Sequence, residues 1–346
     1  MTLVATEADV AAVLGPADMG EVVDVIEAAY REKAAGRATL HPRQTIQYPP
    51  EDGYYTDSAL RILSGFLPEL DSAALRIYPI SHDRPVTETG PRVLDYTMKQ
   101  ELLVYYRYGR KMELAGIIAD HLIMNARTAA PTGVASRVLG RPESRVHGVI
   151  GSGRHAPWQI RAVSSVLPIE EVRIFSRTPA NRARLAALLD EELDSEVVAV
   201  DSAEEAVSGA DVVTTVTNAN SPVIDGNWLA PGTHVNIIAR GEVDERTVER
   251  ADGVWCSWRE QILRDVPDFR PIPQMISAGK LDEEEVYDLD SAVVGETGRK
   301  NADEITLFLS QGVGIWDAAV ASWVFRRLVE AGRGAWLDFG ALTDGG

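Results

Sequence analysis

Residues 146–160 read VHGVIGSGRHAPWQI: an apolar run of strand length, a glycine-rich turn, then the opening of a helix. Gly151-x-Gly153-x-x-Ala156 falls at the junction. In that setting the first glycine permits the tight turn and the second lets the backbone approach a pyrophosphate. The small third residue lets helix pack on strand, and the helix N-terminus faces the phosphates. A lone glycine motif is weak evidence, so the context on either side decides.

Downstream the pattern alternates. Strand-like runs at 145–151, 171–176, 196–200, 210–217, 233–239 and 253–257 are interleaved with helical runs at 155–167, 181–193 and 202–210. Such alternation predicts a parallel, doubly wound sheet of the Rossmann type. Upstream the pattern differs. Residues 7–37 read as two helices, with Asp18 as a cap for the second. QTIQY (44–48), AALRIYPI (73–80), ELLVYYR (101–107) and ELAGIIA (113–119) are strand-length runs, and YGRK (108–111) reads as a hairpin turn. The expected fold is therefore α/β: an α+β substrate-binding and dimerisation domain at 1–124, then a Rossmann dinucleotide-binding domain at 125–312. A helix at 121–140 links them, and a C-terminal helical segment, 313–346, returns to the first.

The second strand of the motif governs cofactor choice. An acidic residue near its end accepts from the ribose hydroxyls in NAD enzymes. Here that strand ends Ile174-Phe175-Ser176-Arg177-Thr178, with Arg182 one turn further on. No carboxylate stands there to repel a 2′-phosphate, so NADP(H) is expected over NAD(H). Arg154 and His155 of the loop, with Thr215 and Thr217 at the end of the 210–217 strand, complete the residues assigned to the cofactor.

Bulk composition narrows the partners. The chain has 346 residues and a formal net charge of -18, from 52 acidic and 34 basic side chains. That balance argues against nucleic acid or an anionic membrane as partner. An anionic ligand would need a local basic pocket, which makes single arginines informative. The lone cysteine, Cys256, precludes an internal disulfide and sits in an apolar run that suggests an inert buried thiol. No signal peptide or membrane span is legible, and no His/Cys/Asp cluster has metal-ligand spacing, so a cytoplasmic protein without a metal is expected.

NARTAAPTGVASRVL (125–139), GSGRHA (151–156), NSPVIDGNWLAPGTHVN (220–236) and DEITLFLSQGVGIWDAA (303–319) together resemble the ornithine cyclodeaminase/mu-crystallin family. The resemblance implies a homodimer paired through the N-terminal sheets, with the active site between the two domains. It covers cyclodeaminases, alanine dehydrogenases, ketimine reductases and a cofactor-bound carrier, and so leaves the reaction open. By this resemblance Arg127 clamps the substrate carboxylate, as a guanidinium does through two parallel hydrogen bonds. Arg43, in HPRQT, matches a position lining the substrate pocket or is a strand-edge charge. Asp317 matches an aspartate near the cleft or makes an ion pair within its helix.

Two positions depart from the family. Arg76 stands where a lysine contacts substrate; it keeps the charge but does not readily release a proton. Gly241 stands where the cyclodeaminases carry an aspartate, although Glu242 follows at once. The departures favour an NADP(H)-dependent reductase of carboxylate-bearing imines, or the reverse amino-acid dehydrogenase. Arg76, Arg127 and Asp317 would serve catalysis, and Arg43, Arg76 and Arg127 would bind substrate. A third arginine hints at a second acidic group, as in iminosuccinate. A cyclodeaminase and an NADPH-bound carrier remain as alternatives. The proton donor is unidentified; His82, at a strand end, is one candidate.

Overall fold

The computed structural model describes residues 1–47, 59–80, 101–109, 111–264 and 270–340. Two sheets organise it. The first contains β1 (Thr2–Ala5), β2 (Thr39–Gln47), β3 (Ala59–Leu67), β4 (Ser72–Ile80), β5 (Leu102–Tyr108) and β6 (Met112–Ala119). The second contains β7 (Val146–Ile150), β8 (Glu171–Phe175), β9 (Glu196–Ala199), β10 (Val212–Thr215), β11 (His234–Ile237), β12 (Gly253–Cys256), β13 (Val286–Asp288) and β14 (Thr306–Leu309); β15 (Ala335–Leu337) returns to the first.

The first sheet has the order β15-β1-β6-β5-β4-β3-β2 and is antiparallel except where β1 runs beside β6. Its inner face carries Leu63, Leu67, Ala74, Arg76, Leu103 and Tyr105, all buried. The helix Gly314–Glu330 packs across it, making β3 and β4 the floor beneath that helix. Contact is backbone to backbone: a β-carbon on Gly65 would lie 2.3 Å from the carbonyl carbon of Gly314, and one on Gly314 would lie 2.0 Å from Ser64 O. Only paired glycines permit that approach, and it seats the helix's first turn against β3.

The second sheet is wholly parallel, in the order β9-β8-β7-β10-β11-β14-β12-β13. The doubly wound expectation holds. Parallel strands covered on both faces are buried at every position, as VVTT and TLFL are here. The helix His121–Leu139 links the halves and is buried along most of its length. The expected boundary at 124/125 thus falls inside a helix that packs against elements of both.

Several expectations need correction. Asp18 does not cap the helix Met19–Ala34 with its side chain. Its carboxylate instead accepts from Gly15 N at 2.7 Å, closing the short turn before that helix, and pairs with Arg327. The C-terminal helix does not extend over 313–346: it ends at Glu330, near Gly332 at φ +62°, and β15 then pairs with β1. Five strands, β1, β3, β13, β14 and β15, were not expected. β14 is a four-residue apolar run, too short for periodicity to separate from the helix that follows it.

Candidate active site

Parallel α/β sheets bind ligands beyond the carboxyl ends of their strands, and here the expected loop follows β7. Gly151 has φ +128°, and a β-carbon on it would lie 2.3 Å from Val216 O, so no other residue fits. A β-carbon on Gly153 would meet open space, leaving its backbone approachable. Ala156 is buried at the start of the helix Ala156–Ser164, with His155 as its N-terminal flanking residue. A tight turn, a bare amide stretch and a helix N-terminus are the features that hold a dinucleotide pyrophosphate.

The residues after β8 divide in two. Ser176 Oγ accepts from Ser152 Oγ at 2.7 Å, tying this turn to the glycine loop. Arg182 is buried and occupied: it donates to Ser176 O at 2.9 Å and Asp201 Oδ1 at 2.6 Å and lies over the Phe175 ring. Arg177 and Thr178 are exposed. Arg182 therefore braces the turn, and Arg177 is the cation presented outward.

Thr215 and Thr217 both face Glu242, the residue next to the cyclodeaminase aspartate position at 241. Glu242 is fully buried, and its carboxylate accepts from Thr215 Oγ1 (2.9 Å), Thr217 Oγ1 (2.7 Å), Thr217 N (2.5 Å) and Ala239 N (2.8 Å). Burial raises its pKa, and those hydrogen bonds oppose the rise. Glu242 is thus a latch between the loops after β10 and β11. With every bond turned inward, it does not offer the cyclodeaminase carboxylate in place of Gly241, whose φ is +69°.

A second buried network pins that sheet to the linking helix. His234 lies between Thr306 Oγ1 (2.9 Å) and Asn236 Oδ1 (3.1 Å), and Asn236 donates to Ser136 Oγ at 3.0 Å. Burial lowers the His234 pKa to about 3, so the ring is neutral.

The charged cluster lies where β4, the linking helix and the C-terminal helix converge. Arg76 is 2% exposed; it donates to Glu101 Oε2 at 2.7 Å and through Nε to Asp120, and that Nε is 3.8 Å from Asp317 Oδ1. Its guanidinium also lies 4.0 Å from the centre of the Tyr78 ring. Arg127 Nε is 3.1 Å from Asp317 Oδ1. Arg76, Arg127 and Asp317 are therefore brought together. Burial would weaken the Arg76 charge, but Asp120, Asp317, Tyr78 and Glu101 hold it protonated more firmly than usual.

The cluster is unevenly satisfied. Neither oxygen of buried Asp317 and neither Arg127 Nε nor Asp120 Oδ1 has an aligned hydrogen-bond partner among the described residues. Burial pushes the Asp120 carboxyl up to about 7, against the pull of Arg76, and raises Asp317 against Arg127 and Arg76. Buried polar groups are normally paired, so such gaps mark places where a ligand completes the site.

Arg43 reaches this region from β2. Its backbone N–H donates to Gln261 Oε1 at 3.2 Å, and Gln261 donates to Gly312 O at 3.0 Å, tying β2 to the loop after β14. Arg154 Nη1 lies 3.3 Å from His121 Nδ1, at the start of the helix that carries Arg127. Glycine loop and charged cluster thus meet at the linking helix. A small cleft at the carboxyl ends of β11 and β14 is lined by Ile238, Ala239, Arg240, Arg270, Pro271 and Gln311. Cys256 is buried, no group of residues with metal-binding composition occurs among the described residues, and no helix there is long and apolar enough to cross a membrane. His82 lies outside the described residues.

Sequence reasoning did not single out Glu101, Asp120, Arg61 or Tyr78. The signal available for Tyr78 was period two, since it shares a strand face with Arg76; Arg61 stands opposite it in the β3–β4 register, which the sequence pattern of β3 does not show.

Fold and site define a two-sheet α/β protein with a dinucleotide-type loop beside a buried arginine–carboxylate cluster. The ornithine cyclodeaminase/mu-crystallin family model matches residues 2–332, and the chain belongs to that family. A candidate dehydrogenase of Rhizobium meliloti (strain 1021) is 30% identical over 340 residues, covering 96% of this chain and 98% of its own. The Delta(1)-pyrroline-2-carboxylate reductase of Bacillus cereus (strain ATCC 10987 / NRS 248) is 26% identical, covering 93% and 96%. Among solved structures, Thermococcus litoralis Delta(1)-pyrroline-2-carboxylate reductase in complex with NADH and L-proline aligns with TM-score 0.81. It is 26% identical and covers 97% of this chain and all of its own.

Proposed function

We propose that this protein is a nicotinamide-dependent reductase of carboxylate-bearing imines, forming an amino acid, or the dehydrogenase running the reverse reaction. The observation that carries this reading is the Arg127–Asp317–Arg76 cluster. It retains unused buried hydrogen-bonding groups and meets a dinucleotide-shaped glycine loop at one helix. The relatives named as pyrroline-carboxylate reductases act on this chemical class, which supports the reading.

Gly151, Gly153, Ala156 and the helix they open would hold the pyrophosphate. The bound nicotinamide supplies or accepts the hydride. Arg127 holds the substrate carboxylate and fixes the imine carbon in place. Asp317 keeps Arg127 oriented, and Arg76, engaged by Asp120 and Glu101, provides a fixed positive field. Such preorganised charge stabilises the developing transition state at no reorganisation cost. Glycine at 241 and the sealed state of Glu242 leave no carboxylate there for a substrate side-chain amine, which favours reduction over cyclodeamination.

Two finer assignments belong to the same reading. NADP(H) is preferred over NAD(H), because Arg177 is exposed at the ribose end of β8 and no acidic residue replaces it. The substrate carries a second acidic group, as iminosuccinate does: Arg43 and Arg61 add cations beyond the carboxylate clamp. A homodimer is also proposed. The outer face of the first sheet presents Leu60, Leu75 and Leu102, 37–41% exposed, on the adjacent strands β3, β4 and β5. Sheet faces so apolar are usually covered. Sedimentation at micromolar concentration is expected to give twice the 37.7 kDa chain mass, and a monomer would reject the dimer.

The test is NADPH oxidation with keto acids plus ammonia or methylamine, with oxaloacetate plus ammonia as the diacid arm. Steady oxidation with at least one pair is expected, fastest with the diacid. Formation of proline and ammonia from ornithine with only catalytic oxidised cofactor would overturn the reductase reading.

A further inference from the structure

Reduction of an imine needs a proton as well as a hydride, and none of the arginines provides one near neutral pH. We infer that the Tyr78 hydroxyl donates this proton to the imine nitrogen, from its position on the inner face of β4, two residues beyond Arg76 and opposite Arg61. The inference rests on the reductase reading above.

Three observations converge on this side chain. Tyr78 follows Arg76 at the two-residue repeat that places both on the face beneath the C-terminal helix, and the Arg76 guanidinium lies 4.0 Å from its ring centre. Unlike Arg76, it is only partly buried, so it stands at the margin of the cluster where a ligand can reach it. Its environment is cationic on several sides: Arg76 on its own strand, Arg61 across the β3 ladder, Arg43 from β2 and Arg127 from the linking helix. The acidic groups of the neighbourhood, Glu101, Asp120 and Asp317, are drawn toward Arg76 and Arg127. Burial alone would raise the tyrosine pKa, yet the four guanidiniums outweigh it and lower it from 10.0. A phenol so placed is a better acid than free tyrosine and leaves a tyrosinate that the arginines stabilise.

The step balances. As hydride forms the new C–H bond at the imine carbon, the C=N π pair moves to nitrogen and takes the Tyr78 proton, forming N–H. The tyrosinate then recovers a proton from water. In the reverse direction tyrosinate is the base that accepts the amine proton.

Tyr78→Phe keeps the ring stacked on Arg76 and removes only the hydroxyl. Its kcat is expected to fall roughly a hundredfold or more, with NADPH affinity and imine KM nearly unchanged. In wild type the rate falls as pH rises through the tyrosine pKa, below the ordinary 10.0; in Tyr78→Phe that alkaline limb is lost. A readout independent of turnover is tyrosinate absorbance during a pH titration. Wild type should show a low-titrating tyrosine that is missing from the variant. Retention of more than half the wild-type kcat by Tyr78→Phe overturns the assignment, as does an unchanged alkaline limb, or loss of that limb in His82→Asn instead. A wild type inactive on every imine, with the low-titrating tyrosine still present, overturns the reductase reading itself and the donor role with it.

Discussion

Glu242 and Asp317 are both fully buried carboxylates, and the fold treats them in opposite ways. Glu242 is closed off by four hydrogen bonds from two loops; Asp317 faces two arginines, and neither of its oxygens has an aligned donor among the described residues. A satisfied buried charge is structural cement, whereas an under-satisfied one beside matched cations has capacity for a ligand. The difference lies in neighbours and not in residue type, so a carboxylate cannot be assigned to a reaction from its position in a motif alone.

The contrast is broken most severely at Arg127. Arg127→Ala removes the clamp and leaves Asp317 with only the more distant Arg76. A fall in kcat/KM of about a hundred- to a thousandfold, roughly 3–4 kcal/mol, is expected while NADPH binding persists. Steady-state kinetics with a fluorescence titration of NADPH checks both halves. At the latch, Glu242→Gln replaces an acceptor-only group with an amide that cannot satisfy every donor. It should cost about 2 kcal/mol of stability, read by urea unfolding, with kcat changed far less than by Arg127→Ala. A catalytic loss at Glu242 larger than its stability loss would reverse the roles given to the two carboxylates.

Arg177→Asp sharpens the comparison at the cofactor end. Replacing the exposed cation by an anion should shift preference from NADPH toward NADH by about tenfold or more, near 1.4 kcal/mol. Arg182→Ala should instead lower thermal stability, because Arg182 braces Ser176 and Asp201. A wild type that already prefers NADH would contradict the phosphate role of Arg177. The smallest effect belongs to Gly241→Asp. With φ at +69°, the substitution should cost about 1 kcal/mol of stability. It should leave imine reduction within a few fold and gain little ornithine turnover, as followed by ammonia release.

Much of the architecture was legible in the sequence because it rests on local signals. Period-two and apolar runs marked β4, β5 and β6, and the glycine motif located β7 and its helix. β3 escaped because both of its faces are apolar: Leu60 and Ile62 lie on one side, Leu63 and Leu67 on the other, so no alternation is visible. In the site, Arg76, Arg127 and Asp317 were legible through family resemblance, and the structure brings them within ion-pair distance. Glu101, Asp120 and Arg61 were not, because their relation to Arg76 is set by strand register and helix packing; Tyr78 shares a strand face with Arg76 and was passed over. Arg182 and Thr215 were assigned to the cofactor by position, yet their side chains hold Asp201 and Glu242. Distance along the chain did not reveal what each side chain turns toward.

The place of β14 in the second sheet bears on how the protein is made. This strand separates β11 from β12, and β12 pairs on its other side with β13. As the chain leaves the ribosome, β12 and β13 must wait for residues 306–309 before they can join the sheet. Until then β11 presents an edge of unpaired backbone groups, the kind of surface on which partly made chains associate. Sheet closure is therefore a late event in synthesis, and the same four residues then lead directly into the helix that carries Asp317 over β4. Completing the dinucleotide-type sheet and delivering that carboxylate to the cluster are consecutive acts of one short stretch of chain.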